Sequence, residues 1–382
     1  MNSIDVINPS RLEWCLSDRG VSVDECARET NIAQVALENA LEGSGGLTFT
    51  QLKAIAKYFG RGVLFFVADE PVNDSLVHTP QFRSLTNQKP QLSPVLKRII
   101  EQAERQRDVF LGLREELDEN DFPQFDSPRL PNENIHVITT FVRNWLGLPE
   151  KNNFESYRRA IEAKGIMVIR TNGYAGTWQI PKESNVWGFS LYDEKCPVIV
   201  VRKLDFEAPQ CFTLLHELGH VLLHKTSSID DMQDLQSYQG MENEANAFAG
   251  LMLIPQNLVQ EIDFTQMPQD FAQYSVWLDG VKKKSGASTE VVLRRLMDDG
   301  MLSQELYLSY RNWNDSQIIP IGAGGSRKYR HREPIHLFGD KYVRAVLDAV
   351  NRRQITLNKA SDYLDRIKIK DIHALEQYYA GL

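Results

Sequence analysis

Histidine and cysteine are scarce in this 382-residue chain, with 8 of the first and 4 of the second. Cys15, Cys26, Cys196 and Cys211 stand singly, with no CxxC pair. That excludes a cysteine-based zinc finger or a dithiol redox motif, and leaves buried free thiols in a reducing compartment as the expectation. No run of eighteen apolar residues occurs, and no basic-then-apolar export signal opens the chain. Neither a membrane partner nor secretion is therefore expected, and the reading is a cytoplasmic protein. No internal repeat is present. A hydrophobic content of 42% and a charged content of 25% are those of an ordinary globular chain, and its length allows two or more domains with a substantial core.

Against that scarcity, residues 216–220 read His-Glu-Leu-Gly-His, inside an apolar run from Cys211 to Leu223. With 8 histidines, a chance HExxH is roughly a one-in-a-hundred event. On a helix, His216 and His220 project from adjacent turns of one face and can grip one ion. Glu217 lies about 100° around the helix from His216, beside an ion-bound water, where a general base is needed. The bland alternative is a surface turn carrying two histidines. It conflicts with the apolar flanks, which bury the helix and would leave two imidazoles without partners.

Catalytic zinc sites use three protein ligands and leave a fourth position for water. His224, at the end of HELGHVLLH, sits about 12 Å along an unbroken helix axis from His216, too far for both to bind one ion. It is expected to be a helix-end histidine or a group behind a ligand. Glu242 is the better third ligand, because 241–249 has strong helical character and Glu242 shares a face with Asn246 at i, i+4. One of that pair would ligate while the other holds a ligand histidine. Glu244 is the reserve, with a solvated helix charge as its plainer reading. Spacing selects no oxyanion-stabilising residue among Tyr174, Tyr238 and His331.

HELGHVLLH, followed by Glu-x-x-Ala-Asn-x-Phe-Ala and Leu-Met-Leu-Ile-Pro255, resembles the ImmA/IrrE family of metallo-endopeptidases, many of which carry an Xre-type helix-turn-helix at the N-terminus. The resemblance implies His216, His220 and Glu242 as ligands of one Zn2+ per chain, and Glu217 as the catalytic base. It also implies a protein substrate, a helix-turn-helix repressor or a neighbouring regulatory protein. One departure is Gln210-Cys211, where members often have a basic residue before the Phe-Thr.

Residues 9–68 look like that N-terminal module. Helical patterns run over 10–18, 23–29, 33–41 and 48–58, and the second and third have helix-turn-helix spacing. Yet 33–41 contains no Arg or Lys, and residues 1–70 hold 6 Lys plus Arg against 10 Asp plus Glu. DNA binding draws most of its affinity from neutralised phosphates. Gln34 and Asn39 could read bases while Lys53 and Lys57 touch phosphate; protein docking or dimerisation is the other use of the same module.

A linker rich in Pro, Ser, Asn and Gln covers 71–93, and a long amphipathic helix over 94–119 would serve as a strut or a homodimer contact. Helices follow at 134–146 and 154–163, then strands at 166–170, 186–192 and 197–201, the last apolar throughout and expected to be central. The 186–192 run reads as ordinary sheet or, more sharply, as an edge strand beside the metal helix on which a substrate peptide pairs. After Gly-rich 321–326, residues 327–332 hold four permanent cations. That run could contact nucleic acid, dock on the acidic N-terminal domain, or form a solvated loop. Short helices are expected at 341–350 and 357–364.

The expected fold is α+β and mostly helical. It comprises a five-helix helix-turn-helix domain over 1–70, a linker and long helix over 71–132, a zincin-like peptidase domain over 133–312 with a small sheet packed on the HExxH helix, and a basic helical C-terminal region over 313–382. The expected function is a zinc endopeptidase acting on a regulatory protein, with the attached module for DNA or partner binding. The rival is a DNA-binding regulator or sensor whose metal site is structural. Glu217 argues against it, since a structural site needs no base and closes its fourth position with protein.

Overall fold

In the computed structural model, residues 3–4, 7–45, 47–72, 79, 82, 85, 88, 92–115, 122–172, 176–231, 233–236, 239–317 and 327–381 are described. The Gly-rich 321–326 stretch, most of the 71–93 linker, Tyr174 and Tyr238 lie outside them. Contacts divide the chain into two compact units, Met1–Gln102 and Ala103–Leu382, where the sequence suggests four segments. The chain is α+β and mostly helical.

The first unit holds α1 (Pro9–Arg19), α2 (Val23–Thr30), α3 (Gln34–Leu41), α4 (Phe49–Phe59) and a 3-10 segment, Val63–Val67. Four α-helices and one 3-10 segment thus stand where five helices are expected. Two-residue strands β1 (Ser3–Ile4) and β2 (Leu47–Thr48) pair antiparallel. Side-chain caps set the boundaries: Ser22 accepts the Glu25 N–H ahead of α2, and Thr48 forms a capping box with Gln51 ahead of α4. Asn31, at φ 53°, ends α2 in the left-handed region that Asn tolerates. Three residues therefore separate α2 from α3, with Ile32 buried in a core built around Leu12, Leu37, Leu52, Ile55 and Phe59.

Helix α5 (Pro94–Arg114) contains the boundary between the units. The second unit continues with α6 (Ile135–Leu146) and α7 (Phe154–Glu162), then strands β3 (Met167–Arg170), β4 (Val186–Leu191) and β5 (Val198–Val201). The motif helix α8 (Glu207–Gly219), strand β6 (Ser228–Asp231) and α9 (Gly240–Leu253) follow. Beyond short helices come α10 (Thr289–Asp298), α11 (Gln304–Asp315) and α12 (Glu333–Asn351). The sheet order is β3-β5-β4-β6, with β3 parallel to β5 and β4 antiparallel to both its neighbours. The apolar β5 is interior and wholly buried, and burial of each of its Val and Ile side chains is worth about 1.5–3 kcal/mol.

The edge-strand reading of 186–192 is overturned. β4 is paired on both sides, because Ser228–Asp231 covers its open edge. A four-residue Ser-Ile-Asp-Asp strand gives no apolar alternation to announce itself. The register slips between Val186 and Gly188, so that Asp230 stands opposite Gly188 and Ser228 opposite Ser190.

The C-terminal residues belong to this unit. The Arg158 side chain, 1% exposed, donates to the carbonyls of Ile335, His336 and Leu337 in α12 and of Val168 in β3, and pairs with Glu162 at 2.9 Å. Gly339 breaks the α12 geometry at φ 85°, where any Cβ would collide with the Glu162 carboxylate. Among the described residues, no helix is long and apolar enough to cross a membrane.

Candidate metal centre

Helix α8 supplies the first half of the site. Its core-facing residues Leu214, Leu215 and Leu218 are fully buried, and Gly219 lets it approach Ala245 and Phe248 of α9. The α-helix gives way after Gly219 to a single π-helical turn, His220–His224, where the sequence shows no breaker. Such turns are common at functional sites.

Four side chains converge: His216, His220, Asp230 and Glu242. The two Nε2 atoms are 3.1 Å apart. Glu242 Oε2 lies 3.3 Å from His216 Nε2 and 3.5 Å from His220 Nε2. Asp230 Oδ2 lies 3.4 and 3.6 Å from the same atoms. A tetrahedron with bonds of about 2.0–2.1 Å has edges of about 3.3–3.4 Å. The donors are therefore spaced as ligands of one small ion. Asp230 Oδ2 and Glu242 Oε2 are buried and receive no hydrogen bond, which would be costly without a cation between them. Nitrogen and oxygen donors of this kind suit Zn2+ and its divalent neighbours.

Asp230 is the residue the sequence reading missed. Its signal was position alone: it is one of three acids between the motif and Glu242, on a strand too polar to be noticed. His216, His220 and Asp230 are essentially inaccessible, whereas Glu242 is 25% exposed. Access to the cluster is from the Glu242 side.

Behind the cluster, His220 turns its Nδ1 to His224 Nδ1 at 3.0 Å, and His224 Nε2 meets Glu244 Oε2 at 3.1 Å. A His220 that offers its Nε2 lone pair must carry its proton on Nδ1 and donate it to His224. His224 then holds its own proton on Nε2, facing Glu244. Glu244 is thus a helix charge, 65% exposed, paired to this relay. The amide of Asn246 donates to the Asp234 carbonyl at 3.0 Å, not to a ligand histidine. His331 sits in the turn Arg327–Arg332, outside the cluster.

Glu217 lies beside the donors rather than among them. It is fully buried, with neither carboxylate oxygen in a well-formed hydrogen bond and with Ser190 and Asp230 as neighbours. Burial, reinforced by the Asp230 charge, pushes its carboxyl well above the ordinary range. Burial lowers the His216 imidazole, but the Asp230 and Glu242 carboxylates outweigh it and leave His216 raised to about 9. The field at the cluster centre thus favours positive charge. A cavity of about 290 Å³ is lined by Phe212, Asn243, Asn246 and Leu251 among others, and by none of the four donors. The Phe212 ring stacks on His216 at 6.3 Å.

Two imidazoles and two carboxylates converge on a point, with a further buried acid at its side, on a helix-strand-helix frame that could hold a metal ion. Residues 161–297 match the family model for the IrrE N-terminal-like domain, Peptidase M78. A curated relative, "Uncharacterized immunity region protein 2" of Bacillus phage phi105, is 33% identical over 95 residues. That match covers 24% of this chain and 59% of the relative's length. No solved structure matches.

Proposed function

We propose that the chain is a zinc-dependent endopeptidase that cleaves a regulatory protein, with His216, His220 and Glu242 as ligands and Glu217 as general base. The observation that carries this reading is Glu217, a fully buried carboxylate placed next to a four-donor cluster. A purely structural ion has no use for such a group. A divalent ion held there supplies a water of lowered pKa and polarisation of a scissile carbonyl. Glu217, whose carboxyl is readily protonated in its buried setting, takes the proton from the attacking water and delivers it to the leaving amine. The cavity beside Phe212 receives one substrate side chain. Among the described strands of this sheet the edges are β3 and β6, not β4, and an extended substrate would pair on β6, the edge that carries Asp230.

The phage relative bears the name of an immunity-region protein, which is compatible with a regulatory protein as substrate; a helix-turn-helix repressor is what the ImmA/IrrE resemblance implies. We read α2 and α3 as a helix-turn-helix that docks protein rather than DNA. Val35 on α3 is 64% exposed, and the Gln34 amide is engaged by Glu38 at 2.8 Å, so the face offers an apolar contact and no cation. The test is incubation with the product of the adjacent gene. Cleavage by wild type and none by Glu217→Gln, with metal content equal in both, is the expected result. Native-rate cleavage by Glu217→Gln would remove Glu217 from the mechanism.

A further inference from the structure

We propose that Asp230 is a fourth protein donor to the ion. The resting centre is then closed by His216, His220, Asp230 and Glu242, and the corner used in catalysis opens only when Asp230 gives way. The inference rests on the reading of the cluster as an ion site, and changes that site from three protein ligands to four.

Five of the six donor-to-donor distances among these atoms fall between 3.1 and 3.6 Å, and all six lie within 4.8 Å. Asp230 approaches the two imidazoles as closely as Glu242 does, within 0.1 Å for each ring. If one carboxylate is a ligand on this geometry, so is the other. Its second oxygen is already committed, since the Ser228 hydroxyl donates to Asp230 Oδ1 at 2.9 Å. That bond fixes the carboxylate with Oδ2 toward the histidines, as hydrogen bonds behind ligating carboxylates do.

The backbone supports the same assignment. The irregularity at Val186/Gly188 sets Asp230 across from Gly188, on the sheet face that meets Thr213 and Glu217 of α8. Two carboxylates and two neutral imidazoles also balance the charge of a divalent ion, whereas one carboxylate leaves a net positive centre. Asp230 is 1% exposed, a position an unpaired carboxylate would rarely occupy.

The proposal separates binding from turnover. A closed set holds the ion tightly in the absence of substrate. Turnover then requires β6, which pairs with one neighbour only among the described strands, to shift by enough to free one position.

The test uses the full chain loaded with Zn2+ or Mn2+. Zinc affinity is measured by competition with a chelating dye, and inner-sphere water on Mn2+ by water-proton relaxation. Six-coordinate Mn2+ with four protein donors keeps about two waters, and with three donors about three. Wild type is expected to show about two. Asp230→Ala should show about three and bind zinc at least tenfold more weakly. About three waters in wild type overturns the proposal without any variant, and so does an Asp230→Ala chain with unchanged zinc affinity and water count. If Asp230→Ala fails to fold, the wild-type water count decides alone. Should wild type bind neither metal, the ion-site reading itself fails, which is a different result from a three-donor site.

Discussion

Replacing Gly188 by Ala should damage the centre without touching any donor. A Cβ there would stand 2.6 Å from Thr213 Cγ2, 2.9 Å from Glu217 Oε1 and 3.1 Å from the Val200 carbonyl. Carbon contacts are comfortable at about 3.5–4.0 Å, so α8 would have to withdraw from β4 by about 1 Å. Nothing nearby yields easily: the Thr213 hydroxyl is bound to the Pro209 carbonyl at 3.0 Å, which fixes its methyl, and Val200 lies in the interior strand. Overpacking of this kind costs about 1–3 kcal/mol. A displacement of about 1 Å at a catalytic group can lower turnover on the order of 100-fold. The assay is chemical denaturation together with substrate cleavage, and Gly112→Ala is the control. Gly112 sits in α5 with open space around its Cβ position, so that variant should be neutral or slightly stabilising. A Gly188→Ala chain with wild-type stability and cleavage would refute the close approach of β4 to the motif helix.

His224→Ala should weaken zinc binding by about 10–100-fold, the usual effect of losing the partner of a ligand histidine, measured by dye competition. Arg158→Met leaves Glu162 buried without its cation and strips donors from four carbonyls, so a loss of about 3–5 kcal/mol is expected in denaturant titration. Burial, only partly offset by Arg158, raises the Glu162 carboxyl to about 7. The folded chain therefore binds that proton more tightly than the unfolded one. Its contribution is complete below the ordinary carboxylate range and is lost as pH rises toward 7. The stability difference between wild type and Glu162→Gln, followed from pH 4.5 to 7.5, should move in that direction; a flat difference would contradict it.

Periodicity and caps made most helices visible in the sequence, because α2, α4 and α6 begin at Ser22, Thr48 and Asn134 and carry their apolar residues on one face. The wholly apolar 198–201 run likewise announced an interior strand. β6 was hidden, since its place depends on the irregular β4 register rather than on its own residues. Asp230 was hidden with it. Three of the four converging donors could be named from one helix and the helix after it, but the fourth reaches the cluster through strand pairing that no local spacing encodes. The π-helical turn was equally silent, as Val221-Leu-Leu223 continues a helix in every local respect. The long reach of Arg158 to α12 explains why the C-terminal residues, which read as an appended basic region, pack within the second unit.

The central claim is that His216, His220 and Glu242 hold a divalent ion. Metal analysis of purified wild type beside Glu242→Ala and a His216→Ala/His220→Ala pair tests it most directly. About one zinc per wild-type chain, reduced occupancy in Glu242→Ala and none in the double variant is the result this account requires. Folded wild type that takes up no more zinc than the double variant would contradict it.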